Sequence, residues 1–317
     1  MHLVMLQHPG RRGAGILLGE DVLDLAASAD LIPEARLVAQ SVRSILEAGD
    51  GALAVLRRIV DDLANRPSLS EQLRAAGALV ARASVSLLAP IPDPAIVLAC
   101  GLNYHAHLAE MNTPVPPTPT GFTKSVGSII GSGSPIRPPR DHADMVDWEG
   151  EFCAVIGRPC HGVSEAEALD HVGGYTLIND VSARDWVAPI FSATGIMGPI
   201  LAWEHNVLGK QYPTFCPMGP ALVTKNEIPD PERVQLTTRL NGEIMQSANT
   251  DDLVFGVARV IAYFSQFYSF RPGDVISTGS PAGVGYGRTP KLFMRAGDVI
   301  EVQADGVGIL RNPIAAA

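Results

Sequence analysis

Near the N-terminus the apolar residues come in short runs, LVML, GILL and VLDLA, separated by Gly, Asp and Glu. This pattern predicts two or three small strands joined by tight turns. From Ala35 to Leu46 the positions Leu37, Val38, Val42, Ile45 and Leu46 share one helical face. Gly49-Asp50-Gly51 interrupts the pattern and Leu53, Leu56, Ile59, Val60 and Leu63 resume it, so a helical hairpin is expected there. Pro90, Pro92 and Pro94 then form a cluster that helix interiors reject and that often separates compact units. A domain boundary is therefore expected near residue 90, dividing a small N-terminal α/β domain (1–90) from a larger domain (91–317).

Beyond that boundary FCAVIG, GYTLIND, GPALVT, VQLTTRLNG, DVISTGS and DVIEVQADGVGIL alternate with Gly/Pro turns, which predicts a mostly β domain within an α+β fold. Two helices are expected to interrupt it. Ser164 and Glu167 fit a capping box ahead of Ala168, Leu169 and Val172, with Gly173-Gly174 ending that helix. The second starts near Asp251 and carries Leu253, Val254, Val257, Ile261, Phe264 and Phe267 at helical spacing until Arg271-Pro272-Gly273.

The chain has 317 residues, 46% of them hydrophobic, enough to bury a sizeable core and to exclude disorder as the main state. A net charge of −9 is the wrong sign for a nucleic-acid partner, and it requires a local concentration of cations wherever an anionic substrate binds. No apolar run approaches the ~20 residues of a membrane span and the start does not read as a targeting segment, so a cytoplasmic protein without a membrane partner is expected. Cys100, Cys153, Cys160 and Cys216 form no CxxC pair and read as buried reduced thiols.

The segment Asp147-Trp148-Glu149-Gly150-Glu151 carries two acids at a spacing that shares one strand face. Buried together, the two carboxylates need a cation or a proton; on an exposed edge strand they need neither. Asp180, at the end of Tyr175-Thr176-Leu177-Ile178, adds a third carboxylate, and three such oxygens suit Mg²⁺ or Mn²⁺. Asp180 equally fits a turn or an N-cap. His107 and Glu110 meet on one face if their segment is helical, an arrangement fit for a general base and also for an ordinary surface ion pair. Gly283-Val284-Gly285-Tyr286-Gly287 and the glycines from Gly127 to Gly133 lack the strand, helix and distal acid of a dinucleotide site.

Taken in order, GLNYxxHxxE from Gly101, Phe122-Thr123-Lys124, DWEGE, the run Tyr175 to Asp185, Cys216 to Pro220, Leu240-Asn241-Gly242, Thr278 to Gly285 and Leu310 to Pro313 resemble the fumarylacetoacetate hydrolase family. The resemblance is strong from about residue 90 onward and looser before it. It implies a mixed β-roll/β-sandwich catalytic domain, a homodimer, and Mg²⁺ or Mn²⁺ (Ca²⁺ in crystals) on Glu149, Glu151 and Asp180. It also implies that His107 and Glu110 activate water on a mobile lid and that Lys210 supports an oxyanion. Lys124, Arg184 and Thr278 would contact substrate.

The activity it implies is metal-dependent hydrolysis of a carbon–carbon bond in a 1,3-diketo acid, an acylpyruvate-like anion of aromatic catabolism. The alternative on the same site is decarboxylation of an oxaloacetate-type β-keto acid, or isomerisation or hydration of a keto acid. Two departures stand out: Val187 where glutamine is frequent, and Ser125 where proline is frequent. The apolar segment 187–209, with Ile190, Phe191, Ile196, Met197, Ile200, Leu201 and Trp203, is expected to line the pocket or a dimer contact, selecting a larger, less polar acyl group, or simply to cap the sheet.

Overall fold

In the computed structural model of the chain the described residues are 1–8, 11–38, 40–186 and 194–317. The expected N-terminal strands are His2–His8, Arg11–Leu18 and Asp21–Asp24, an antiparallel meander with Met5 opposite Ala14 and Ile16 opposite Leu23. His2–His8 also pairs with Cys216–Thr224, so the meander continues into the sheet that carries the later strands. From there the order runs through Val172–Asn179, Gly150–Ile156, Val275–Ser277 and Val97–Gly101 to Thr120–Thr123.

Gly150–Ile156 and Cys216–Thr224 are buried at every position, which explains their near-continuous apolar sequence. A second sheet orders Glu243–Asn249, Gln235–Leu240, Val299–Ala304 and Gly308–Pro313, and in Val299–Ala304 burial alternates with partial exposure. The two sheets approach closely at Gly150, where a Cβ would lie 2.1 Å from Thr238 Oγ1. One core lies between the N-terminal helices and the large sheet, around Leu3, Ile16, Leu46, Leu56 and Leu222. Another joins the sheets to the helix Val257–Phe264 through Phe152, Ile261 and Val302. The architecture is mixed α/β, and the four thiols are all free and buried. None of the described helices is long and apolar enough to cross a membrane.

Several elements differ from expectation for local reasons. The stretch from Ala35 divides into a 3-10 turn, Pro33–Leu37, and a short helix, Val42–Glu47, because Ser41 and Ser44 build a capping box that starts the chain afresh. The next helix begins at Gly49 itself and runs to Asn65. Gly173-Gly174 do not end a helix but lie in the strand Val172–Asn179, where a Cβ on Gly173 would sit 2.9 Å from Gly157 Cα and one on Gly174 2.2 Å from Val223 O. The Ser164–Glu167 capping box does form. The last helix starts at Val257 rather than Asp251, with Glu232 Oε1 accepting the Val257 N–H at 2.8 Å. Within 187–209, Met197–Leu208 is helical; the expectations for Val187, Ile190 and Phe191 lie outside the described residues.

Candidate active site

Strand register builds an acidic centre. Gly150 pairs with Asn179 and Glu151 with Ile178, so Glu149 enters one strand beside the point where Asp180 leaves the other. The junction is fixed twice: the Asp180 N–H donates to Glu149 O at 2.8 Å, and the Glu149 N–H donates to Asn179 Oδ1 at 2.9 Å. Glu149, Glu151 and Asp180 thereby bring one oxygen each within 4.8 Å of one another, all three residues buried.

Two buried lysines and a partly buried arginine answer these charges. Lys210 Nζ donates to Glu149 Oε2 and Asp180 Oδ2, each at 2.7 Å. Lys124 donates to Asp180 Oδ1 and, at 2.7 Å, to Lys210 O. Arg184 bridges Asp147 Oδ2, at 3.0 Å from Nε, and Glu149 Oε1. Burial works against ionisation of Glu149, but Lys210 and Arg184 outweigh it and hold that carboxyl down at about 2.

Glu151 is the opposite case. Burial, then Asp180 and Glu149, push its carboxyl well above the ordinary value, and only the Ser277 hydroxyl donates to Oε2. Its Oε1 is buried with no hydrogen-bond partner among the described residues. The centre thus has four carboxylates, counting Asp147, against three cations, and the deficit falls at Glu151. A hard-oxygen set with one orphaned buried oxygen fits a divalent cation.

Beside this centre Gly101 leads into the short helix His105–Glu110 through Leu102, whose φ of 56° is unusual for a branched residue. Asn103 pins the turn, its amide donating to Phe255 O and Thr278 O at 3.0 and 2.9 Å. The helix places His107 Nδ1 3.0 Å from Glu110 Oε2, while Glu110 Oε1 accepts the Gly283 N–H at 3.0 Å. Burial opposes ionisation of Glu110, but His107, the Gly283 N–H and Arg288 lower its carboxyl overall.

Asp147, quoted in the sequence pattern but given no role there, organises the opposite wall. Besides Arg184 it accepts the N–H groups of Trp148, Gly285 and Tyr286 at 2.9, 2.6 and 3.1 Å. Gly285 and Tyr286 of the glycine run therefore spend their N–H groups on Asp147, as Gly283 does on Glu110.

A cavity of about 450 Å³ opens over the centre. His107, Glu149, Arg184, Lys210, Ser280 and Tyr286, with Thr113 and Asn206, supply its polar lining, and Leu102, Met111, Phe122, Pro199, Trp203 and Val284 much of the rest. Of the expected site residues, His107, Glu149, Arg184 and Lys210 line the cavity, and Glu110 is held to His107 by its hydrogen bond. Asp180 is bonded to Lys210, and neither it nor Glu151 lines the cavity. Lys124, its side chain wholly buried, contacts Asp180 rather than the cavity. Thr278 donates its hydroxyl to Phe152 O at 2.9 Å, and Ser280 lines the cavity in its stead. No cysteine is poised as a nucleophile: burial pushes Cys216 up to about 12 and raises Cys100 and Cys153 as well.

Two relatives similar over nearly the whole chain carry one name. Oxaloacetate tautomerase fahd2, mitochondrial, of Xenopus laevis is 39% identical over 96% of this chain and 86% of its own length. Oxaloacetate tautomerase YisK of Bacillus subtilis is 34% identical, covering 94% of each chain. Among solved structures, a probable 2-hydroxyhepta-2,4-diene-1,7-dioate isomerase from Mycobacterium abscessus superposes with a TM-score of 0.73 at 32% identity, over 100% of this chain and 99% of that one. The family model for the fumarylacetoacetate (FAA) hydrolase C-terminal region matches residues 96–315, the stretch that contributes every residue of the acidic centre and the dyad. With that match, and relatives of this identity along its length, the chain belongs to the fumarylacetoacetate hydrolase family.

Proposed function

We propose that this protein interconverts the keto and enol forms of a 2-keto acid, with a divalent cation, Mg²⁺ or Mn²⁺, held by Glu149, Glu151 and Asp180. When bound, that cation supplies a Lewis acid that polarises the 2-keto oxygen and acidifies the C3 proton. The observation that carries the reading is one cavity lined by a carboxylate-held imidazole, His107, together with the cations Arg184 and Lys210. The tautomerase and isomerase names of the similar proteins favour this keto-acid chemistry over the carbon–carbon hydrolysis expected first.

The chain's own groups divide the work. Ionised Glu110 keeps the proton on His107 Nδ1, which leaves Nε2 as the acceptor for substrate. In the keto-to-enol direction Nε2 takes the proton from C3, the C3–H electron pair becomes the C2–C3 double bond, the carbonyl pair moves onto O2, and Nε2 then delivers that proton to O2 to give the enol. The reverse step takes the proton from O2 and returns it to C3. Arg184 and Lys210 offset the substrate carboxylate and the negative charge growing on O2, and a partly enclosed cavity strengthens both interactions by excluding water.

The test is to add enolic oxaloacetate to metal-loaded protein, follow the loss of enol absorbance, and assay pyruvate in parallel. Enol loss well above the buffer rate without pyruvate release is expected, falling by at least about 100-fold in His107→Ala. Enol decay at the buffer rate for oxaloacetate and for phenylpyruvate alike, or pyruvate released from oxaloacetate as fast as its enol disappears, refutes the proposal.

A further inference from the structure

The cavity is larger and more apolar than a four-carbon dicarboxylate such as oxaloacetate requires. Its volume of about 450 Å³ falls in the range that encloses a drug-sized ligand. The cations that line it, among the described residues, are Arg184 and Lys210, and both are tied to the acidic centre. The segment 187–193, VAPIFSA, contains no Lys or Arg.

Away from that centre the wall becomes aromatic in two steps. Lys210 Nζ lies 5.5 Å from the centroid of the Phe122 ring, and Phe122 meets Trp203 edge-on at 6.3 Å. Pro199, Ala202, Trp203 and Asn206 recur at helical spacing along Met197–Leu208, so the cavity follows one face of that helix. Trp203 is 48% exposed, a large indole left half in water at the edge of a cavity whose other end is charged. A second carboxylate placed there would lose hydration without gaining a cation; an apolar group would bury the indole and gain ring contacts.

We propose that the preferred substrate is a monocarboxylic 2-keto acid carrying an apolar, aromatic-sized substituent, with Trp203 and Phe122 as the residues that select it. This rests on the keto–enol reading above and names its substrate class. The carboxylate and 2-keto oxygen lie at the Arg184–Lys210 end, C3 faces His107, and the substituent extends over Phe122 to Trp203.

Phenylpyruvate and oxaloacetate serve as probes, each followed from enol to keto with metal-loaded enzyme and compared by kcat/KM. Phenylpyruvate is expected to be favoured by about tenfold or more, a ratio within reach of one filled apolar subsite. Trp203→Ala is expected to reduce that ratio by about tenfold, mainly through KM for phenylpyruvate, with Trp203→Phe restoring much of it. Ala202→Arg supplies the missing cation on the same helix face and is expected to shift the ratio toward oxaloacetate; melting temperatures identify any variant that fails to fold. Oxaloacetate accelerated with phenylpyruvate at the buffer rate overturns the substrate class and leaves the reaction standing. A ratio indifferent to both Trp203→Ala and Ala202→Arg removes Trp203 from the argument and overturns the selectivity claim. Neither compound accelerated refutes the reaction and the substrate class together.

Discussion

Replacing Asp147 by asparagine isolates the least visible part of the site. The wild-type carboxylate accepts four N–H groups, from Trp148, Gly285, Tyr286 and Arg184, and is wholly buried. Burial pushes its carboxyl above the ordinary range and Arg184 offsets part of that rise. An asparagine side chain there would keep one acceptor oxygen and turn an NH₂ toward donors, while Arg184 would keep only Glu149 as a charged partner. Removing one member of a buried pair costs about 3–5 kcal/mol. At roughly 2 °C per kcal/mol for a chain of this size, the melting temperature should fall by ~6–10 °C.

The measurement is urea unfolding of metal-free protein for Asp147→Asn, Arg184→Met and the double variant, with kcat on metal-loaded samples. The double variant should lose less than the sum of the singles by about 1 kcal/mol or more, because each single strands the other's charge. Asp147→Asn within about 1 kcal/mol of wild type, or strictly additive losses, would show that the pair does not hold this wall together.

Glu110→Gln should lower kcat by about tenfold to 100-fold while leaving the fold intact by circular dichroism; equal rates would make the pair a surface contact. Divalent metal uptake should release protons, because the raised Glu151 carboxyl is more protonated in the metal-free site than an ordinary carboxyl. Affinity should therefore rise with pH until Glu151 ionises unaided, and calorimetry in buffers of different ionisation enthalpy reads both; pH-independent binding without proton release would contradict this. Gly283→Ala should lower kcat by about tenfold, since φ is +102° and a Cβ would lie 2.1 Å from Met245 O, displacing the N–H that holds Glu110. Chelation should lower the melting temperature without unfolding the chain; a random-coil spectrum in chelator would mean that metal carries the fold.

What the sequence made legible is what local spacing controls. The alternation at Glu149 and Glu151 and the strand end at Asp180 follow from strand geometry, and His107–Glu110 from helical spacing, so these residues could be found without coordinates. Asp147 could not, because its partners Arg184, Gly285 and Tyr286 lie far along the chain and meet it only through folding. Its one signal was position, an acid at the entrance to a buried strand. Residue spacing assigns no element to the apolar segment 187–209, and Met197–Leu208 is helical with Pro199 inside it because proline is tolerated in the first helical turn, where the N–H has no intrahelical acceptor. The misplaced start near Asp251 has the same origin: helical spacing cannot register a carboxylate arriving from Glu232 to cap Val257.

The placement of the lysines explains how such a centre can exist before any metal arrives. Three mutually close carboxylates in a buried site would repel strongly, and a fold that depended on the ion would resemble small metallo-domains that unfold without it. Here Lys124 and Lys210 are bonded to the proposed ligand carboxylates themselves, and Arg184 ties Glu149 to Asp147. Most of the negative charge is thereby neutralised by the chain's own cations, while among the described carboxylates of the centre Glu151 keeps an unsatisfied oxygen. The same cations face the cavity through Arg184 and Lys210, so on the proposed function the groups that let the acids be buried would also receive an anionic substrate on a protein of net charge −9. Charge balance in the core and substrate attraction at the surface of the cavity are one arrangement, which is why loss of Lys210 would be felt in both folding and turnover.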